Sequence, residues 1–244
     1  MKLTVIGYWG AYPKENEATA CYLIEQDETK ILFDCGSGAL SQLTNYISIN
    51  EIDAVFISHI HADHIADLYC LEYAMRIQQQ LGNRNSALDV YIYTEDLNHL
   101  PLEYPTAIRA HSINLTSVIK VGKLEVTFAE MLHEIPTCAI KATNAKGTSL
   151  VYSGDSGYTP NLIRFSQDAD LLLIECSFYQ RQKGYVKGHL STTEVGEIAS
   201  KANVGELVLT HLPHFGDISQ LINEVRPYFQ KKISKAHTGL SILL

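Results

Sequence analysis

Residues 54–68 read Ala-Val-Phe-Ile-Ser-His-Ile-His-Ala-Asp-His-Ile-Ala-Asp-Leu. An apolar run of strand type, Ala54 to Ile57, ends at Ser58 and is followed at once by His59, His61, Asp63 and His64. From there the pattern turns amphipathic and helical, so four metal-capable side chains fall in the bend between a buried strand and a helix start. The spacing has geometric content. Residues two apart in an extended segment face the same way, so His59 and His61 can address one ion. Asp63 and His64 lie where the chain enters the helix and can reach toward a second. Polar residues gathered by chance on a loop are the competing reading of a lone HxH, whereas HxHxDH directly after a buried strand points to metal binding.

Moving outward, the chain before this stretch is rich in strand signals. Leu3 to Ile6 reads as a first strand, and Ala20 to Gln26 with Lys30 to Asp34 reads as a hairpin turning on Asp27-Glu28-Thr29. The aromatic loop Tyr8-Trp9-Gly10-Ala11-Tyr12-Pro13 between them could line a pocket, with core packing the simpler role. Asp34 opens Asp-Cys-Gly-Ser-Gly, as a helix cap or as a carboxylate backing a metal ligand, ahead of a helix over 39–46. After the motif the pattern predicts a helix over 65–80, a strand over 90–93, a short helix over 95–100, strands over 118–121 and 124–131, and a hairpin over 138–143 and 148–153. A helix over 160–165, a buried strand 171–175, a Ser191-capped helix to Ala202, a strand 206–210, a helix 218–229 and a closing strand 240–243 complete the chain. Strands early, then strands and helices in pairs, without repeats or linkers, make a layered α/β domain spanning residues 1–244.

Three further residues occupy equivalent places: His133, Asp155 and His211 each follow a buried strand. Polar groups at strand ends are where catalytic side chains gather in α/β architectures. Singly they read as a surface histidine, a turn aspartate and a hydrogen-bonded core histidine. Their joint placement after the HxHxDH motif changes that reading.

His59-x-His61-x-Asp63-His64 followed in order by His133, Asp155 and His211 resembles the metallo-β-lactamase superfamily, and the resemblance spans nearly the whole chain. It implies a four-layer αβ/βα sandwich with two divalent metal ions. By that pattern His59, His61 and His133 hold one ion, Asp63, His64 and His211 the other, and Asp155 bridges both. Such nitrogen-rich sites suit Zn²⁺, with Mn²⁺ or Fe as alternatives. Two ions about 3.5–4 Å apart hold a bridging hydroxide and polarise the electrophile, and Asp63 is placed to orient or deprotonate the attacking water. Glu175, ending Leu-Leu-Leu-Ile-Glu, and His189, in Gly-His-Leu-Ser-Thr, are similar to the Glu and His pair of the ribonuclease Z and phosphodiesterase branch. There the histidine donates a proton to the leaving oxygen and the glutamate orients it. A neighbour of the Ser191 helix cap is the plainer role for His189. The Asn16-Glu17-Ala18-Thr19 loop, Asp168-Ala169-Asp170-Leu171-Leu172 and Thr210-His211-Leu212-Pro213-His214-Phe215 resemble the small bacterial YhfI-like metallo-hydrolases.

Composition bounds the partners. A net charge of −8 over 244 residues disfavours a broad grip on a nucleic-acid backbone. The span from His133 to Asp155 is also too short for the arm with which ribonuclease Z proteins hold tRNA. A small or short phosphodiester is therefore the expected substrate and tRNA is not. A lactone, thioester or other carboxyl derivative is the alternative on the same fold; a di-iron redox protein or a non-catalytic metal binder is the alternative of another class. Five scattered cysteines without CxxC fit buried free thiols in a reducing compartment. No apolar stretch suits a signal peptide or a bilayer span, so a cytoplasmic protein without membrane contact is expected; a homodimer is what the resemblance to the ribonuclease Z and phosphodiesterase branch implies. Lys231, Lys232 and Lys235 read as a solvated face. His99 and His111 read as surface residues, His214 as a pocket or loop residue, and His237 as a buried, satisfied one.

Overall fold

The computed structural model describes all 244 residues, and the chain divides into two compact units. Met1–Asn114 with His237–Leu243 form one, and Leu115–Ala236 with Leu244 the other.

In the first unit the apolar runs become strands β1 (Lys2–Gly7), β2 (Cys21–Gln26), β3 (Thr29–Phe33), β4 (Ala54–Ile57), β5 (Leu88–Ile92) and β6 (Ile108–Ser112). They form one sheet, joined at its β1 edge by the last strand of the chain, Ser241–Leu243. Pairing is antiparallel as far as β3 and parallel from β3 to β6. The switch follows from connection length: β2 and β3 turn on Asp27-Glu28, with Asp27 at a left-handed φ of 53°, while β3–β4 and β4–β5 carry helical crossovers. Helices α1 (Ala39–Leu43), α2 (Ala62–Ile65) and α3 (Leu68–Gln80) supply the covering layer. Leu68, Leu71 and Met75 of α3, at helical spacing, share one buried apolar cluster with Leu32, Val55, Ile57 and Val90. The fourth inward position of α3, Glu72, is only 3% exposed. Its carboxylate is satisfied by the backbone N–H groups of Glu103 and Tyr104, at 3.2 and 2.7 Å.

The second unit carries β7 (Ile119–Val121), β8 (Leu124–Glu130), β9 (Cys138–Asn144), β10 (Ser149–Tyr152), β11 (Leu171–Glu175), β12 (Glu206–Thr210) and β13 (Lys232–Lys235). Its sheet runs β7 to β13 in sequence order, antiparallel up to β10 and parallel beyond. Every residue of β10 and β11 is buried, as strands with both faces covered require. Helices α4 (Pro160–Phe165), α5 (Thr192–Lys201) and α6 (Leu221–Val225) follow β10, β11 and β12. Ser191 caps α5 through a reciprocal box with Glu194.

Several elements depart from the sequence reading. β6 and β13, absent from that reading, are strands at sheet edges, and His111 lies in β6 with Nε2 2.8 Å from Asp89 Oδ1. The helix expected over 65–80 is two, because Asp67 N–H turns to Cys35 O (3.1 Å) and the Asp67 carboxylate accepts from Leu40 N (2.9 Å). The helix expected over 218–229 reduces to α6: Arg226 keeps helical angles (φ −51°, ψ −39°), but Pro227 has no N–H with which to continue the ladder. α1 ends at Leu43 as its last bonds tighten into three-residue turns at Asn45 and Tyr46. His237 is exposed rather than buried. No helix is long and apolar enough to cross a membrane.

All five cysteines are free; Cys21, Cys35, Cys138 and Cys176 are buried, and Cys70 is exposed. Burial pushes the Cys21, Cys35 and Cys176 thiols well up, which starves them of thiolate. A thiol reagent should therefore titrate one cysteine per native chain, Cys70, and all five only in denaturant. Labelling followed by peptide mapping checks the assignment.

Candidate metal centre

In the first unit the site grows from the C-terminal end of β4. The strand delivers Ser58 and His59 into the interior, both fully buried, and the chain stays extended through His61 (φ −63°, ψ 147°) before α2 begins. His59 Nε2 and His61 Nδ1 consequently converge to 3.2 Å. Bonds of about 2.0–2.1 Å to a tetrahedral zinc ion place two nitrogens roughly 3.3 Å apart, so this pair fits a shared ion. The rest of the environment fixes ring orientation. Asp34, at the end of β3, accepts from Ser58 N (2.7 Å) and Ser58 Oγ (2.9 Å), and its Oδ2 lies 2.7 Å from His64 Nδ1. With its proton given to Asp34, Ser58 Oγ accepts from His59 Nδ1 at 3.0 Å. Both His59 and His64 are thereby held as Nδ1–H tautomers that present Nε2 as the ligand atom.

Of the two roles open to Asp34 in the sequence, the structure assigns that of backing His64 and, through Ser58, His59. α1 is instead capped by Gly38. Asp34 holds a left-handed φ of 57°, a backbone strain of the kind that accumulates at functional sites. Asp63 Oδ2 lies 3.5 Å from His64 Nε2 and accepts from Ala11 N at 2.7 Å. The aromatic loop thus contributes through its backbone, while Trp9 is buried and hydrogen-bonded to Glu17, with Tyr8 on the same carboxylate at 2.8 Å. A Cβ at Gly36 would lie 2.0 Å from Asp63 O, so only glycine lets β3 exit this close to the motif.

The second unit gathers its candidates at the ends of β8, β10, β11 and β12. Asp155, 2% exposed, is the hub. Its Oδ2 is 3.3 Å from His211 Nε2 and 3.9 Å from both His133 Nε2 and His189 Nδ1. His133 Nδ1 donates to Gly188 O at 3.0 Å, and a Cβ at Gly188 would meet that nitrogen at 2.9 Å. His211, at φ 50°, has Nδ1 3.0 Å from Ser177 Oγ, which donates to Glu175 Oε2 at 2.7 Å. His133 and His211 are therefore also Nδ1–H tautomers that present Nε2. The donor set is that of imidazole nitrogens and carboxylates with fixed tautomers, which fits divalent zinc-type ions.

Glu175 is fully buried and accepts from Ser156 N (3.1 Å), Leu190 N (3.2 Å), Ser177 N (3.3 Å) and Ser177 Oγ, with His189 Nδ1 2.8 Å from Oε1. One carboxylate thus orients His189 directly and His211 through Ser177. The sequence reading missed Ser58, Ser177 and the Gly188 carbonyl; for both serines the signal was a hydroxyl next to or two residues beyond a strand end that already carried chemistry. His214 is half-buried and belongs to no group of converging ligand atoms in this unit.

Residues 29–212 match the model of the β-lactamase superfamily domain. The chain belongs to the metallo-β-lactamase superfamily. It is 39% identical over 98% of both chains to YhfI of Bacillus subtilis (strain 168), described as a probable metallo-hydrolase. The crystal structure of that metallo-β-lactamase fold protein superposes with a TM-score of 0.95 over 99% of this chain and 98% of the other. A ribonuclease Z of Haloarcula marismortui is 26% identical over 98% of this chain and 96% of its own length. The two seven-stranded sheets with their helices are the αβ/βα sandwich of the metallo-β-lactamase superfamily, and the protein is a metallo-hydrolase with His/Asp clusters suited to divalent metal.

Asp34→Asn keeps the shape of a side chain that orients two imidazoles in this superfamily's metal motif but removes the charge. It is expected to weaken metal binding about 10- to 100-fold, measured by competition with a chromophoric chelator.

Proposed function

We propose that the protein is a dinuclear metal-dependent phosphodiesterase acting on a small or short phosphodiester. His59, His61 and His133 are assigned to one ion, Asp63, His64 and His211 to the other, and Asp155 to both; zinc is the metal we favour. When bound, such a pair supplies a hydroxide nucleophile at neutral pH and neutralises charge developing on the phosphoryl oxygens.

The observation that carries the choice of substrate is the Glu175–His189 pair. A buried carboxylate holds His189 at Nδ1, at 2.8 Å, while the histidine keeps 21% of its side-chain surface open. With Nδ1 committed, Nε2 is the atom from which a proton reaches the leaving oxygen. That proton matters most when the leaving group is a poor alkoxide, as in a phosphodiester. The ribonuclease Z relative, an enzyme named for RNA cleavage, supports the same bond type; the net charge of −8 argues for a smaller substrate than tRNA. Asp63 is held by Ala11 N in an orientation suited to receiving a proton from the attacking water.

The test is a substrate panel. Zinc- and manganese-loaded protein should cleave bis(p-nitrophenyl) phosphate and short nucleotide diesters in preference to thioesters and lactones. Turnover of thioesters or lactones without any diester cleavage overturns the proposal.

A further inference from the structure

Beside His189 the second unit exposes a group of aromatic side chains that the hydrolytic chemistry leaves unused. Phe178 is the middle member, its ring centroid 6.2 Å from His189, 6.3 Å from Tyr185 and 6.1 Å from Phe215. Tyr185 is 78% exposed and Phe215 44%, and with Phe178 between them they make one contiguous aromatic group rather than scattered rings. The scaffold beneath them is fixed. Phe178 closes the base of its loop by accepting from Thr192 N (2.9 Å) and donating to Leu190 O (3.0 Å), so Phe178, Tyr185 and His189 ride on one closed loop. Phe215 is pinned from behind: Tyr179 Oη donates to its carbonyl at 3.0 Å, and Gly216, at φ 72°, leaves space for the Tyr179 ring that a Cβ would enter at 2.6 Å.

We propose that Phe178, Tyr185 and Phe215 form a stacking platform for a nucleobase carried by the leaving group, which makes the substrate a nucleotide phosphodiester of one or two bases. This rests on the phosphodiester reading and on His189 as proton donor. Phe178 and Tyr185 share a loop with the donor and Phe215 packs against Phe178, so a group lying on them belongs to the half of the substrate whose oxygen His189 protonates. Flat π faces, rather than aliphatic side chains, select a planar ring, and base–aromatic stacking tolerates any base. A chain of net charge −8 provides no track for a long polyanion, so the occupant is nucleotide-sized.

Binding of adenosine 5′-monophosphate and of ribose 5-phosphate, which lacks the base, is to be measured by calorimetry on the zinc-loaded protein. The nucleotide should bind about tenfold tighter, within the range of one stacked base. Tyr185→Ala with Phe215→Ala should abolish that preference, and Tyr185→Phe should keep it. Equal binding of the two ligands by the wild type, or a preference that survives in the double alanine variant, overturns the platform. Diester turnover on the same preparation separates the two proposals. Cleavage without base preference refutes the platform alone, whereas base preference without cleavage of any diester refutes the phosphodiester reading and, with it, the assignment of the base to a leaving group.

Discussion

Replacing Glu175 by glutamine is expected to lower diester turnover about 10²- to 10³-fold, within the range that a positioned general acid contributes. The carboxylate offers only acceptors, and every group around it is a donor. Ser156 N and His189 Nδ1 address Oε1, while Ser177 N, Leu190 N and Ser177 Oγ address Oε2. An amide must point its NH₂ at one of these sets, so either His189 or Ser177 loses its anchor. Glu175→Ala goes further and strands all five donors in a fully buried place, at a cost of about 3–5 kcal/mol of stability. Ser177→Ala separates the two arms: His211 loses its Nδ1 partner while His189 keeps its own. It should weaken metal binding more than it slows turnover at saturating metal. Steady-state kinetics beside denaturant melts check the series, and a glutamine variant with wild-type kcat would refute this role for Glu175.

The parts of the fold legible in the sequence are those where burial writes a pattern. β4, β10, β11 and β12 are almost wholly buried, so each appears as a short apolar run closed by a polar residue. Two of the edge strands, β6 and β13, left no such mark. β6, Ile108–Ser112, buries only its first residue, and β13 reads Lys-Ile-Ser-Lys with one buried position. Lysines on an exposed edge discourage pairing with another chain, and the same lysines disguise the strand as a solvated charge cluster. The break between α2 and α3 was illegible for another reason. It is set by hydrogen bonds from Asp67 to residues 27 or more positions earlier, which no local pattern encodes.

The candidate site divides along the same line. Most of its ligand residues were legible because they follow the buried strands β4, β10 and β12, where a polar side chain contradicts its apolar neighbours; β8, ahead of His133, is only half buried and ends on the exposed Glu130. The groups that hold those ligands in one tautomer were not. Ser58, Ser177, the Gly188 carbonyl and Ala11 N–H are ordinary residues whose role exists only once β3 lies beside β4 and β11 beside β12. Asp34 is intermediate: its carboxylate stood out, but only the 2.7 Å contact to His64 distinguishes it from a helix cap.

Asp155→Asn should have the largest effect of any isosteric change in the second unit. The carboxylate faces three imidazoles at 3.3–3.9 Å from a position 2% exposed, where a charge is tolerated only with partners of opposite sign. On the proposed two-ion assignment a neutral amide cannot share charge between two cations, so affinity for a second ion should collapse. Turnover should fall by at least roughly a thousandfold, equivalent to about 4 kcal/mol of transition-state stabilisation. Thermal melts distinguish this from misfolding. Metal at a hundredfold excess over its Kd stabilises a native protein by about 2.7 kcal/mol per site. The wild type should therefore gain a large increment in Tm on metal addition, and the asparagine variant a smaller one, starting from a metal-free Tm no lower than that of the wild type. The sign of that last comparison is informative, because removing a buried charge relieves its desolvation as well as its attractions. Elemental analysis should find two ions per wild-type chain and at most one in the variant. Two retained ions with unimpaired turnover would show that Asp155 bridges nothing.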